Sequence, residues 1–328
     1  MKNSSYIMFT MMLMFSYMMM ISSNNWLSMW MSMEINLISF MPIMYNNKNI
    51  YASESMMIYF IVQTMSSILF LFSLIYSNMI LYKNNYIFHI FMMISMMIKL
   101  GMPPFHLWSI LMMKKMKWIT LYFLLTIQKI MPIIILSMIM KNFMMIFIML
   151  STMISSISGI NQTNLLKIIL YSSINHSSWM MMSLFYENNM WMMYMLIYML
   201  ILFMFVNIMK KNNIMFINQM NMNMNLENKI MIMILFLSLS GLPPFIGFLP
   251  KWMIIQTMIN LKSYLFMLIM LMSSLIIMYF YLQIIMNMLM INYNLMKWNN
   301  KKKKSLSLFN MNMILNLMMP IILLMNFM

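Results

Sequence analysis

Five ionisable residues, Glu34, Lys99, Lys129, Lys167 and Lys251, sit inside long apolar stretches of a chain that is otherwise almost free of charge. An ammonium at the centre of a bilayer costs roughly 2.5–3.5 kcal/mol on insertion scales, so five such groups together cost on the order of 10 kcal/mol. The simplest chemistry that a row of titratable groups in a membrane serves is the movement of protons or ions. Desolvation disfavours the charged form of a lysine, so an ammonium held away from water can exchange its proton near neutral pH.

The local contexts differ. Lys99 lies in Lys99-Leu-Gly-Met-Pro-Pro-Phe-His106-Leu-Trp108, and Lys251 in Gly241-Leu-Pro-Pro-Phe-Ile-Gly-Phe-Leu-Pro-Lys251-Trp252. A Pro pair removes two amide donors and breaks a helix, and freed carbonyls at membrane depth are tolerated only where they face protein or a wet cavity. Long lysines near helix ends can instead snorkel to the interface. For Lys99 and Lys251 the adjacent breaks favour function; for Lys167, near the start of its stretch, both readings stand. Lys129, in Ile127-Gln128-Lys129-Ile130-Met131-Pro132, has about ten apolar residues on either side, too many for comfortable snorkelling. Pro132 is expected to kink the helix there and admit water. Glu34, in Trp30-Met-Ser-Met-Glu34-Ile-Asn36-Leu, needs a partner or stays protonated. Lys99 is the natural candidate: a charge about 4 Å away is worth roughly 4 kcal/mol at an effective dielectric near 20. His106 and His176 can relay protons, since imidazole titrates near neutral pH, or can simply pack. His89 reads as structural.

These residues need apolar elements to hold them. The chain has 328 residues, 64% hydrophobic and 7% charged, with a mean hydropathy of +0.83. That composition describes a membrane protein. Apolar runs of about 20 residues mark spans. Eleven are expected, at about 4–22, 26–45, 55–80, 86–110, 118–139, 143–158, 163–185, 189–209, 229–258, 263–291 and 306–327. The loops are short, the longest being the Asn-rich Lys210–Asn228, and Gly159–Thr163 reads as a turn capping the seventh span. The expected architecture is all-α and polytopic, one integral membrane domain over 1–328. The breaks fall in the fourth and ninth spans, five apart, which predicts two inverted five-helix repeats, about 4–139 and 143–291, followed by a C-terminal helix at about 306–327.

Net charge is +16, yet the lysines cluster in short loops as topology signals, which argues against nucleic acid. With the N-terminus inside, one side collects Lys2, Lys48, Lys114, Lys115, Lys117, Lys210, Lys211, Lys229, Lys297 and Lys301–Lys304, and the other only Lys83, Lys141 and Lys262. The run Lys301–Lys304 reads as a topology anchor that could also touch anionic head groups. Met1–Asn25 mimics a signal peptide but lacks a small-residue cleavage site, and reads as the first membrane helix.

There is no cysteine, which excludes zinc fingers, thiolate-held clusters and disulfides in this chain. No G-x-G-x-x-G loop and no P-loop is present. There are 64 Met, every basic residue is Lys, Asp is absent and Ala52 stands alone. Such usage points to an AT-biased, mitochondrial-type genome, so the methionines reflect drift more than metal binding. Gly and Pro are disfavoured by that bias, yet three of the four Gly and five of the eight Pro fall in 101–104 and 241–250.

Glu34-Ile-Asn-Leu, Lys99 through Trp108, Gln128-Lys129-Ile-Met-Pro132, Leu170-Tyr-Ser-Ser-Ile-Asn-His176-Ser-Ser-Trp179 and Leu242 through Trp252 together resemble the subunit 2 family of mitochondrial NADH dehydrogenase (ubiquinone), an antiporter-like membrane subunit of respiratory complex I. The resemblance runs from about Asn25 to Tyr281. It implies a proton-translocating membrane-arm subunit in the mitochondrial inner membrane, with the N-terminus on the matrix side and the C-terminus in the intermembrane space. Glu34 and Lys99 match the family's charged pair, Lys129 its central lysine and Lys251 its outer lysine; His106 and His176 match histidines near the pathway. Leu166 and Gln283 stand where relatives commonly carry Arg, and Ile58 where some carry Lys. No cofactor or metal is expected on this chain: NAD, FMN, iron–sulfur clusters and ubiquinone belong to other subunits. The implied partners are other membrane-arm subunits and the bilayer, cardiolipin among its lipids. In the implied mechanism a change in a neighbouring subunit reaches Glu34, Lys99 loses charge stabilisation, and a proton passes by Lys129, water and His groups to Lys251. An independent cation/proton antiporter and a structural scaffold remain the rival readings.

Overall fold

The structure, a computed structural model, describes residues 2–45, 50–79, 86–113, 115–139, 143–186, 190–224 and 226–290. Among these the chain is helical, and its one β feature is an isolated bridge between Asn164 and Phe216. An apolar segment in lipid has no water to pair its amides, so it must bond within itself as a helix.

The chain divides into two compact units, Met1–Ser151 and Thr152–Met328, with the boundary inside one helix. Unit 1 contains α1 (Lys2–Ser22), α2 (Trp26–Met44), α3 (Ile50–Met79), α4 (Tyr86–Leu100), α5 (Leu107–Met113), α6 (Trp118–Leu125) and α7 (Ile127–Met138). In it α2 packs on α1 and α3, and α4 on α3 and α7. Helix α8 (Met144–Gly159) carries the boundary. Unit 2 contains α9 (Leu165–Tyr186), α10 (Met190–Asn212), α11 (Ile217–Asn223), α12 (Leu226–Ser240), α13 (Phe248–Asn260) and α14 (Tyr264–Met290). There α9 packs against α10, α13 and α14, and α12 against α10 and α14.

Among the described residues five helical stretches are long and apolar enough to cross a membrane: Ser4–Ser22, Ile50–Ser77, Trp118–Met138, Met190–Asn212 and Tyr264–Leu289. Their outward faces carry apolar stripes at helical spacing. On α3 these are Ile61, Met65, Ile68, Phe72 and Ile75; on α14 they are Leu265, Leu268, Met272, Leu275 and Tyr279. In water such stripes would be buried; exposed stripes of this length suit lipid. Helix α9 is the opposite case. It is buried almost all round although it carries Ser172, Ser173, Asn175, His176, Ser177 and Ser178. Its serines are tolerated because each returns its hydroxyl to a carbonyl one turn back, as Ser172 does to Ile169 at 2.9 Å.

Several sequence expectations are refined. Helices occupy each of the first ten expected stretches, three of them as broken pairs; the eleventh, with Lys301–Lys304, lies outside the described residues. The interruption near Lys129 falls at Thr126 (φ −115°, ψ −80°), between α6 and α7, while Pro132 sits inside regular α7. The Lys210–Asn228 segment is not simply a loop: α10 runs on to Asn212, and α11 folds within the segment. The cap of α9 is Asn164, whose Oδ1 accepts the Leu166 N–H at 3.0 Å, rather than the Gly159–Thr163 turn itself.

Candidate functional site

In unit 1 the fourth stretch stops at Gly101. Its φ of +65° lies in the left-handed region that closes a helix. The Gly101 N–H bonds Ile98 O and the Met102 N–H bonds Met97 O, each at 3.1 Å, which is the Schellman closure. Pro103 and Pro104 prevent resumption until Leu107. Side chains also meet the carbonyls at the break: Trp108 Nε1 donates to Ile98 O, which already accepts from Gly101, at 3.1 Å, and Gln63 Nε2 to Lys99 O at 3.4 Å.

Lys99 occupies the last turn of α4, half-buried, where a cation complements the helix dipole. Its ammonium lies 3.2 Å from the Sδ of Met33, the residue before Glu34 on α2. A direct Glu34–Lys99 ion pair is not among those of the described residues; the described pair joins Lys115 and Glu54. The described residues thus bring Lys99 against Met33, the neighbour of Glu34 in sequence, without a Glu34–Lys99 ion pair.

Lys129, 4% exposed, follows the Thr126 interruption, and its N–H bonds Thr126 O at 3.1 Å. Lys99 and Lys129 line one cavity of about 20 Å³, together with Tyr59, Gln63, Trp108 and Gln128. That is room for about one water molecule among polar partners. One wall is fixed by a reciprocal amide pair: Asn36 Nδ2 donates to Gln128 Oε1, and Gln128 Nε2 to Asn36 Oδ1, each at 3.0 Å. Tyr59 donates to Gln128 Oε1 at 3.3 Å, and Tyr17 to the Ile127 carbonyl at 2.7 Å. Tyr59 and Gln63 were not singled out from sequence; the signal available was one amide side chain, Gln63, in the middle of an apolar helix.

In unit 2 the same closure recurs. Gly241 has φ +79°, its N–H bonds Ser238 O at 3.1 Å, and the Leu242 N–H bonds Leu237 O at 3.3 Å. Lys251 on α13, 5% exposed, reaches back to the break and donates to the Ser240 carbonyl at 2.8 Å. Its stem lies along Gly241, where a Cβ would meet Lys251 Cδ at 3.0 Å and Nζ at 3.1 Å. Its ammonium stands 5.9 Å from the Trp179 ring centroid, within cation–π range. His176, 6% exposed, bonds Tyr194 OH through Nδ1 at 2.8 Å. It borders a cavity of about 10 Å³ with Ser238, Gly247 and Pro250, which sets it beside the break next to Lys251.

Two candidates stand apart. His106 lies in the first break, half-buried, but does not line the Lys99–Lys129 cavity. Lys167, in the first turn of α9, donates to Gln162 Oε1 at 3.1 Å, close to the end of the helix as the interface reading expects. Lys229, counted among the topology lysines at the edge of the ninth span, belongs to α12 and is buried, 1% exposed. Its polar neighbours Glu227 and Asn228 hid this in the sequence.

The family model described as NADH:quinone oxidoreductase/Mrp antiporter, TM, matches residues 23–277. The NADH-ubiquinone oxidoreductase chain 2 of Anopheles gambiae is 38% identical, covering 94% of this chain and 95% of that protein. The chain belongs to the NADH-ubiquinone oxidoreductase chain 2 family. The Locusta migratoria member is 36% identical, over 90% of this chain and 89% of its own. A chain of respiratory complex I from Thermus thermophilus superposes with a TM-score of 0.81 at 15% identity, covering 96% of this chain and 79% of that one. A chain of the Mrp complex from Dietzia superposes with a TM-score of 0.70 at 11% identity, covering 79% and 56%. These two likenesses are of fold. The all-α membrane fold expected from the apolar runs, and the antiporter-like fold implied by the resemblance, agree with these neighbours.

Proposed function

We propose that the chain is a proton-translocating membrane-arm subunit of an NADH:ubiquinone oxidoreductase, and that its buried lysines carry the proton. The observation that supports this most is the water-sized cavity shared by Lys99 and Lys129. With one lysine as ammonium and the other as neutral amine, the two can pass a proton through the water-sized cavity they both line, and Glu34, next to the Met33 that touches Lys99, supplies a bias. With Glu34 ionised, Lys99 keeps its proton more firmly. When Glu34 is neutralised or drawn away, Lys99 releases the proton through the water to Lys129. The onward step goes to Lys251, with His176 beside it, and out to the intermembrane side. Electron transfer and its cofactors, NAD, FMN, iron–sulfur clusters and ubiquinone, belong to other subunits. In this reading the protein makes eleven crossings as two inverted repeats and a terminal helix, within the mitochondrial inner membrane, with its N-terminus in the matrix.

The test is proton transfer per NADH oxidised, in membranes with matched assembly levels. Lys129→Met should lower it, since Met suits the lipid environment but holds no proton; a normal ratio would favour the scaffold. Glu34→Gln and Lys99→Met should each impair transfer, and the double variant should be less impaired than the two effects added, because the residues act as a pair. Strict additivity would remove Glu34 from the switch. The family description also includes Mrp antiporters. Cation/proton exchange by the chain reconstituted alone would favour the independent antiporter.

A further inference from the structure

Unit 2 contains a cavity that the lysine relay does not use. It measures about 220 Å³ and opens at the end of the unit where α8 stops and α9 starts. Its walls carry Asn161, Gln162 and Thr163 from the connecting turn, and Gln283 and Asn287 from the last turns of α14. The bond from Lys167 Nζ to Gln162 Oε1 sets an ammonium at its margin. The rim is held in place from two directions. The Leu165 N–H bonds Met215 O at 3.0 Å, and the Ile217 N–H bonds Thr163 O at 3.2 Å. Gly159 packs so closely on Phe280 that a Cβ there would meet its ring at 2.9 Å.

Three properties set this cavity apart from a packing fault. Its volume accommodates about seven waters at roughly 30 Å³ each, and its side-chain amides and hydroxyl offer the several partners that ordered water needs. It descends along α14 from Asn287 to Phe280, seven residues or about 10 Å at the helical rise. Ile168, Phe280 and Ile284, all buried, supply its apolar lining, while Gln283 and Asn287 are exposed along its rim. Below Ile168, at the spacing that keeps side chains on one face of a helix, α9 carries Ser172, Asn175 and His176, all buried. Asn175 Nδ2 continues the polar strip to Ser273 Oγ on α14 at 3.3 Å. His176 then borders the break whose Ser240 carbonyl holds Lys251.

We propose that this cavity is an aqueous inlet of unit 2, through which protons from the end bearing Lys167, Lys210 and Lys211 reach the buried polar strip of α9, with Phe280 in its apolar lining. The inference rests on the proton-transfer reading above. It adds an entry point that does not pass through Lys99 or Lys129.

The absence of cysteine makes the test clean, because any thiol on this chain is an introduced one. Gln283→Cys, Asn287→Cys and, in the turn, Asn161→Cys would be made in the full chain within its native membrane assembly. Each would be treated with a positively charged, membrane-impermeant methanethiosulfonate. Leu275→Cys, on the lipid-facing stripe of α14, is the reference. The thiolate is the reactive form and lipid disfavours it, so the wet positions should react about tenfold faster or more. Each variant is then compared with itself before and after labelling. Filling the cavity at Gln283→Cys should cut NADH-driven proton transfer about tenfold or more, the scale of losing one positioned proton-transfer step. Labelling at Asn287→Cys without labelling at Gln283→Cys would mean that the cavity is not wet along α14 and would overturn the inlet. Labelling at both without slowing would also overturn it, leaving a wet pocket off the path. If the unlabelled assembly moves no protons, the proton-transfer reading itself fails, whatever the thiols report.

Discussion

The two helix breaks begin alike and end differently. Gly101-Met-Pro-Pro-Phe105 and Gly241-Leu-Pro-Pro-Phe245 share glycine, proline pair and phenylalanine in register. Both close a helix on a glycine of positive φ, and in both the phenylalanine N–H returns to the residue after the glycine, at 2.8 Å and 3.0 Å. Beyond that point they diverge. In unit 1 the lysine precedes the glycine by two residues, and the carbonyls at the break are bound by Trp108 and Gln63. In unit 2 the lysine follows the glycine by ten residues and is itself the donor to the freed Ser240 carbonyl. The sixth residue after the glycine is exposed Leu107 in one break; in the other it is Gly247, pressed against the Ser238 carbonyl. A lysine beside a broken helix can therefore leave the nearby carbonyls to other donors, as at Lys99, or brace the break itself, as at Lys251.

The largest expected consequence is at Gly247. A Cβ there would lie 1.7 Å from Ser238 O, backbone against backbone, so Gly247→Ala must separate α12 from the start of α13. The cost should exceed the roughly 1–3 kcal/mol usual for overpacking. Assembled protein in the membrane should fall sharply, while Leu107→Ala at the matching place in unit 1 leaves it unchanged. Equal levels of the two variants would break the comparison.

A smaller effect separates the two lysines. Lys251→Met leaves the Ser240 carbonyl unpaired, at about 1–3 kcal/mol, so amide exchange across residues 241–248 should quicken about tenfold. Lys99→Met should leave exchange across 101–107 as it was, because Gln63 and Trp108 still hold that break. Matching acceleration at both would show that both lysines act as braces. The smallest effect is at Trp108→Phe. It removes one donor to Ile98 O, which keeps its bond from Gly101, so the loss should lie near the lower end of 0.5–1.5 kcal/mol. Thermal unfolding of the solubilised chain would measure it, and a loss of several kcal/mol would mean the indole does more than pair that carbonyl.

Much of this was open to the sequence because lipid imposes one solution on an apolar run. A bare amide in hydrocarbon must bond within its own segment, so runs of about 20 apolar residues become helices and a Pro pair among them becomes a break. The five ionisable positions stood out for the same reason: a charge in such a run is costly. The apolar stripes of α3 and α14 became visible only in the folded chain, where they lie exposed at helical spacing. What the chain alone could not say was which side chain answers each carbonyl at a break. Gln63, Trp108 and Lys251 are remote in sequence from, or ambiguous toward, the atoms they pair with. It could not say that Thr126, not Pro132, interrupts the helix before Lys129. Nor could it say that Lys229, flanked by Glu227 and Asn228 like any loop lysine, is buried. The cavity shared by Lys99 and Lys129 was equally hidden. Its walls come from α3, α4, α5, α6 and α7, and a void one water wide exists only once all of them have packed. Helix formation is governed by residues within a turn of one another, which a sequence displays; a cavity is set by the mismatch between surfaces that meet only after folding.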